Sequence, residues 1–242
     1  MFRKKAATIA KKTFRWRSHE PSRLETFSDA VFAFAVTLII VSLEVPKSFD
    51  ELFETMKGFV SFGVCFALLF LIWNNQNIFF RRYGIVDAYT TFLNAVLLFV
   101  VLTYTYPLKF LFTLVFSGDN TYLSNGVKLS MIRTDQIPTL LYVYNFGYVV
   151  IYFLFYLMYR HAQGHAKKLE LTSFELFETK SQMYINLLNV LIGLLAMLMT
   201  TVLPSNIKGA SGYVYFLLAI VYPLFFSIRG RKSGKLFGVV ID

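Results

Sequence analysis

Residues 23–29 read Arg-Leu-Glu-Thr-Phe-Ser-Asp and lead directly into a long apolar run that ends at Pro46. Arg23, Ser28 and Asp29 therefore stand at the mouth of a hydrophobic helix. An ionisable group there costs up to ~3 kcal/mol at bilayer depth, and such groups ordinarily have partners and a role. A second polar group sits inside another apolar run, where Trp73-Asn74-Asn75-Gln76-Asn77 precedes Arg81 by one turn. Four consecutive amides in a membrane segment need hydrogen-bond partners. Asn94, on the next apolar segment, is expected at a similar depth. The expectation is a cluster in which Ser28 and Asp29 dock against these amides, with Arg23 nearby, so that the first helix is held rigidly. Asn145, Asn186 and Asn189 read as glue between helices. His161 and His165 share a helix face at i, i+4, but a metal centre needs more ligands and none is legible in the sequence, so no metal is expected. Gly230 to Lys235 falls one residue short of a phosphate loop and follows a helix where a strand should be.

The elements that carry these groups belong to a membrane protein. Hydrophobic residues make up 56%, aromatics 18% and charged residues only 16% of the chain, where a soluble domain carries about 25% charged residues. The net charge of +10 is spread between the apolar runs and forms no basic domain, so no nucleic-acid partner is expected. Cys65 lies alone within an apolar run and reads as a small buried hydrophobe. Six apolar segments, at about 27–45, 59–80, 88–106, 138–159, 183–203 and 213–228, each approach the ~20 residues that span a bilayer. With the N-terminus placed in the cytoplasm, the inner connections hold eighteen Lys and Arg and the outer ones six. That asymmetry predicts cytoplasmic termini and an even number of crossings. The expected fold class is thus an all-α membrane protein with six transmembrane helices. It comprises a basic cytoplasmic tail (1–22), a transmembrane domain (23–228) and a basic cytoplasmic C-terminal tail (229–242). Residues 117–137 form a polar, turn-rich outer loop.

On the first helix, Phe27, Phe34, Leu38, Val41 and Val45 fall on one face, with Thr37 beside it. On periodicity alone that face reads as a lipid-facing or packing stripe, because an all-apolar helix shows no contrast between faces; the alternative is the lining of a narrow, water-poor pore. No nucleophile–base pair and no potassium filter of the TVGYG type is present, and an enzyme is not expected.

The stretch Arg23-Leu24-Glu25-Thr26-Phe27-Ser28-Asp29 matches R-x-x-x-F-S-D and resembles the signature of the transmembrane protein 175 family of potassium channels. Trp73 with Phe79 and Phe80, and Asp87 through Asn94 to Pro107, extend the likeness over about residues 23–107. The resemblance implies a homotetramer in the cell membrane, with four copies of the first helix lining a passive potassium pore. It places an apolar bottleneck at Phe34, Leu38 and Val41, and a position linked to potassium preference at Thr37. It gives Arg23, Phe27, Ser28 and Asp29 the task of anchoring the pore helix, supported by Trp73, Gln76, Asn77 and Asn94. No cofactor is implied beyond the permeant ion. Phe34 stands where the family usually has an aliphatic residue, and Gln76 and Asn77 stand where it usually has histidine. The alternative is a secondary transporter, which ordinarily needs a carboxylate or histidine near mid-membrane, and none is evident.

Overall fold

A capping box opens the first helix. The Ser22 hydroxyl accepts from the Glu25 amide at 3.2 Å, and the Glu25 carboxylate accepts from the Ser22 amide at 2.9 Å. The structure is a computed structural model that describes residues 14–41, 47–116, 121–124, 127–204 and 207–238. Helix α1 spans Arg23–Val41, α2 Phe49–Tyr83 and α3 Ala88–Phe116. A short hairpin follows, β1 Thr121–Ser124 and β2 Val127–Ser130. A single 3-10 turn then leads into α4, Ile137–Gly164, and α5 covers Ser173–Val202. A 3-10 segment, Lys208–Phe216, precedes α6, Leu217–Phe237.

Among the described residues, five helices are long and apolar enough to cross a membrane: Gly58–Tyr83, Ala88–Phe116, Thr134–Gly164, Ser173–Val202 and Lys208–Phe237. Helix α1 is not among them. Its 19 residues reach about 28 Å, and Arg23, Glu25 and Asp29 occupy its first two turns. It packs against α2 and α3, while α4 and α5 form the most extensive pair. Successive helices run up and down, so one end of the bundle gathers the start of α1, the ends of α2, α4 and α6, and the starts of α3 and α5. Contacts across that end fix the arrangement. The Arg17 amide donates to the Arg81 carbonyl at 2.9 Å, Arg229 pairs with Glu178, and Phe237 packs on Phe174. The described parts of both termini therefore meet there. Cys65 is buried, as a small hydrophobe should be.

Several helices outrun the apolar segments that announce them. Helix α3 passes through Pro107 to Phe116, along the apolar stretch 109–116 that the sequence offers as a continuation of the third segment. Helix α6 continues past Arg229 into the basic segment expected to be a tail. Hydropathy reads the thickness of hydrocarbon, and backbone hydrogen bonding has no reason to stop at its boundary. The loop between α3 and α4 carries a hairpin, with Thr121 opposite Ser130 and Ser124 opposite Val127. The intervening sequence, Asn-Gly, is the strongest short hairpin signal. Residues 117–120, 125 and 126 of that loop lie outside the described residues.

The α3–α4 seam depends on one glycine. A Cβ at Gly147 would lie 2.4 Å from the Tyr104 ring. That ring is tethered, because its hydroxyl donates to the Tyr144 carbonyl at 2.7 Å. Gly147→Ala is expected to cost about 1–3 kcal/mol through overpacking. A lowered melting temperature of the detergent-solubilised protein would register this, and an unchanged one would show that the seam yields.

Candidate functional site: the anchored first helix

Helix α1 has two distinct faces. Ser28, Phe32, Ala35 and Ile39, at i, i+4, i+7 and i+11, are buried against α2 and α3. Phe27, Ala30, Phe34 and Thr37 are exposed, Phe27 at 62% and Phe34 at 56%. Leu38 is half-buried at the edge of the open face. Val41 closes the helix, and its side chain lies outside the described residues. The Thr37 hydroxyl donates to the Ala33 carbonyl at 2.7 Å, which satisfies its proton within the helix and leaves the oxygen able to accept.

The signature residues separate into those that grip and those that do not. The Ser28 hydroxyl donates to the Leu24 carbonyl at 2.7 Å and accepts from the Asn94 amide at 2.9 Å. Asn94 in turn accepts from the Gln76 amide at 2.6 Å. All three side chains are buried, so the chain Gln76–Asn94–Ser28 links α2, α3 and α1 through fully desolvated groups. Asp29 takes a separate partner, accepting from the Trp73 indole N–H at 2.6 Å. Asn77 lines a hollow of about 200 Å³ with Asp29, Glu25 and Arg81, and joins no side-chain hydrogen bond among the described residues. Arg23 and Phe27 are exposed, and Arg23 makes no ion pair among the described residues. At the other end of α1, the Lys109 ammonium donates to the Ile39 carbonyl at 2.9 Å. Helix α1 is thus fastened at both ends along one side and open along the other.

Two of the three intramembrane asparagines bridge elements. Asn145 accepts from Tyr215 at 2.7 Å, and the Asn189 amide donates to Tyr222 at 2.9 Å while its oxygen accepts from Tyr148. Asn186 instead bonds back to Gln182 within its own helix.

Two features escape a reading by sequence alone. The first is the segment before α1. Arg15 and Arg17 converge on Glu175, whose side chain is fully buried, at 3.3 and 2.8 Å. Glu175 also completes a capping box with Thr172 at the start of α5. The visible signal was T-x-x-E at a helix start in a basic region, although nothing in the sequence names its distant partners. The second is Asp87 in the α2–α3 connection. It caps α3 by accepting from the Thr90 amide at 2.8 Å and lies 2.6 Å from His161 Nε2. Burial pushes its carboxyl up, but the Thr90 and His161 contacts outweigh this and hold it down at about 2.

Known potassium channels are similar to this chain in sequence and fold. The family described as "Endosomal/lysosomal potassium channel TMEM175" matches residues 23–104, which cover α1, α2 and most of α3. A protein of Marivirga tractuosa named "Potassium channel" is 37% identical over 233 residues, or 92% of this chain and 93% of that one. A crystal structure of a variant of the potassium channel MtTMEM175, in complex with a nanobody–MBP fusion protein, aligns with a TM-score of 0.75 at 36% identity. It covers 92% of this chain and 97% of that one. A TMEM175 homologue from Chamaesiphon minutus shares the fold at a TM-score of 0.55 and 21% identity, over 84% of this chain and 95% of that one.

Proposed function

We propose, because this chain belongs to the TMEM175 family of potassium channels, that four copies of it surround a central pore lined by α1. The chain is accordingly a multi-pass membrane protein of a channel family, not an enzyme. One observation carries the tetrameric reading. The open face of α1 exposes Phe27 and Phe34, while its opposite face is bonded and packed into α2 and α3. A helix that is short, charged at its start and apolar on an open face finds cover at a symmetry axis. A closed ring supplies that cover without each subunit needing its own polar cleft.

In this reading Phe34, Leu38 and Val41 form an apolar constriction that excludes water, with Thr37 beside it. Potassium passes passively and is preferred over sodium, because the smaller ion gives up its hydration shell less readily. The protein needs no cofactor besides the permeant ion. Helix α1 is the sixth crossing, and the eighteen-to-six distribution of Lys and Arg puts both termini in the cytoplasm of a cell-membrane protein.

Purified protein in liposomes is expected to pass potassium down a gradient in the presence of a protonophore, with a smaller flux when sodium replaces potassium. Flux at the level of empty vesicles across a range of voltages would refute the channel reading. Equal potassium and sodium flux would refute the constriction as a selectivity element.

A further inference from the structure

The end of α4 carries two imidazoles that the pore does not use. His161 and His165 lie one turn apart on one face, and their ring centroids are 4.4 Å apart. The fold brings Asp87 to them from the α2–α3 connection. One donor atom from each of the three side chains lies within 4.8 Å of the other two. A His–Asp pair alone is an ordinary clamp between elements, and His165 is what makes this one different. His165 Nδ1 lies 3.1 Å from the His161 carbonyl, which can only accept, so in the neutral ring Nδ1 carries the proton and Nε2 the lone pair. A carbonyl on the second ring nitrogen is how metal-binding histidines are commonly oriented. Asp87 is oriented too, since its Oδ1 is held by the Thr90 amide while Oδ2 faces His161. The histidines border a cavity of about 520 Å³ that Tyr89, Leu157, Arg160 and Gly164 complete, so a fourth coordination position faces open space.

We propose that Asp87, His161 and His165 form a site for a divalent transition-metal ion of the zinc type. Two imidazoles and one carboxylate suit Zn²⁺, Co²⁺ and Ni²⁺, whereas Mg²⁺ and Ca²⁺ prefer oxygen ligands throughout. Tetrahedral zinc bonds of about 2.0–2.2 Å hold donors about 3.3–3.6 Å apart, so His161 Nε2 and Asp87 Oδ2 part from 2.6 Å while more distant donors draw in, which side-chain rotation provides. The proton now shared between His161 Nε2 and Asp87 must leave to solvent when the ion enters, as metal binding to histidine ordinarily requires. The bound ion ties the α2–α3 connection to the end of α4, and water or a small anion beside Arg160 fills the fourth position.

The test uses the full chain in detergent with any affinity-tag histidines removed. Zn²⁺ is followed by calorimetry and Co²⁺ by its ligand-field absorption. The expected result is one Zn²⁺ per chain, a four-coordinate Co²⁺ spectrum and no heat from Mg²⁺. His165→Gln and Asp87→Asn should each weaken Zn²⁺ binding at least tenfold, about 1.4 kcal/mol. His19→Gln, which alters the one remaining histidine, should leave binding unchanged. Asp87 also caps α3, so His165→Gln carries the decisive comparison, and its metal-free melting temperature confirms that it folds. Absence of Zn²⁺ binding by the unaltered chain, or equal binding by His165→Gln, overturns the site.

Discussion

Phe34→Asn is expected to raise potassium current about tenfold and to admit sodium more freely. Phe34 sits on the open face of α1, one turn before Thr37, where four phenyl rings around an axis would make a dry constriction. Such a constriction gates by expelling water, and a single polar side chain per subunit lets water back. Lowering the barrier by only about 1.4 kcal/mol gives a tenfold rate. Phe34 lies away from the buried face of α1, so the substitution leaves the packing against α2 and α3 intact. Single-channel recording in planar bilayers reads both conductance and reversal potential. Currents and selectivity equal to those of the unaltered chain would remove Phe34 from the constriction.

Asn94→Leu is expected to destabilise the protein by about 1–3 kcal/mol, because it leaves the buried Gln76 amide without its acceptor and cuts the bond to Ser28. Ser28→Ala should cost less, near the ~0.6 kcal/mol typical of interhelical bonds in membranes, since it removes one interhelical bond and one bond within α1, and leaves the Gln76–Asn94 bond intact. Asp29→Asn keeps an oxygen for the Trp73 indole and should be close to neutral in stability. Thermal unfolding of the detergent-solubilised protein ranks the three. An Asn94→Leu variant that melts with the unaltered chain would show that the buried chain of amides contributes nothing to holding α1.

The grip on α1 was legible because its chemistry is compulsory. Amides inside an apolar run must find partners, and Ser28, Asn94 and Gln76 were the polar groups at one depth, whereas Asp29, expected against the amides, bonds to the Trp73 indole. Arg23 was expected among them and is instead exposed, because i, i+5 and i, i+6 spacings put it on the side of the helix away from Ser28 and Asp29. Five of the six expected crossings coincide with helices long and apolar enough to cross a membrane, and their ends were not read from hydropathy. The ends depend on capping boxes such as Ser22–Glu25 and on pairs such as Arg229–Glu178, which connect residues three and fifty-one apart. The third side chain beside His161 and His165 was invisible for the same reason, since Asp87 is 74 residues from His161 and does its local work as a helix cap. The segment before α1 is expected as a basic cytoplasmic tail. Within its described residues, Arg17 is held by a carboxylate 158 residues further along the chain.

Ser28 and Asp29 are consecutive, so their side chains leave α1 about 100° apart around its axis. One is bonded to Asn94 of α3 and the other to Trp73 of α2. A rod clasped from two directions at its foot, and again at Ile39 by Lys109, cannot swivel without tearing a contact. In the proposed pore, turning this spindle breaks three contacts, whereas its rings and methyls can change rotamer in nanoseconds without breaking any of them.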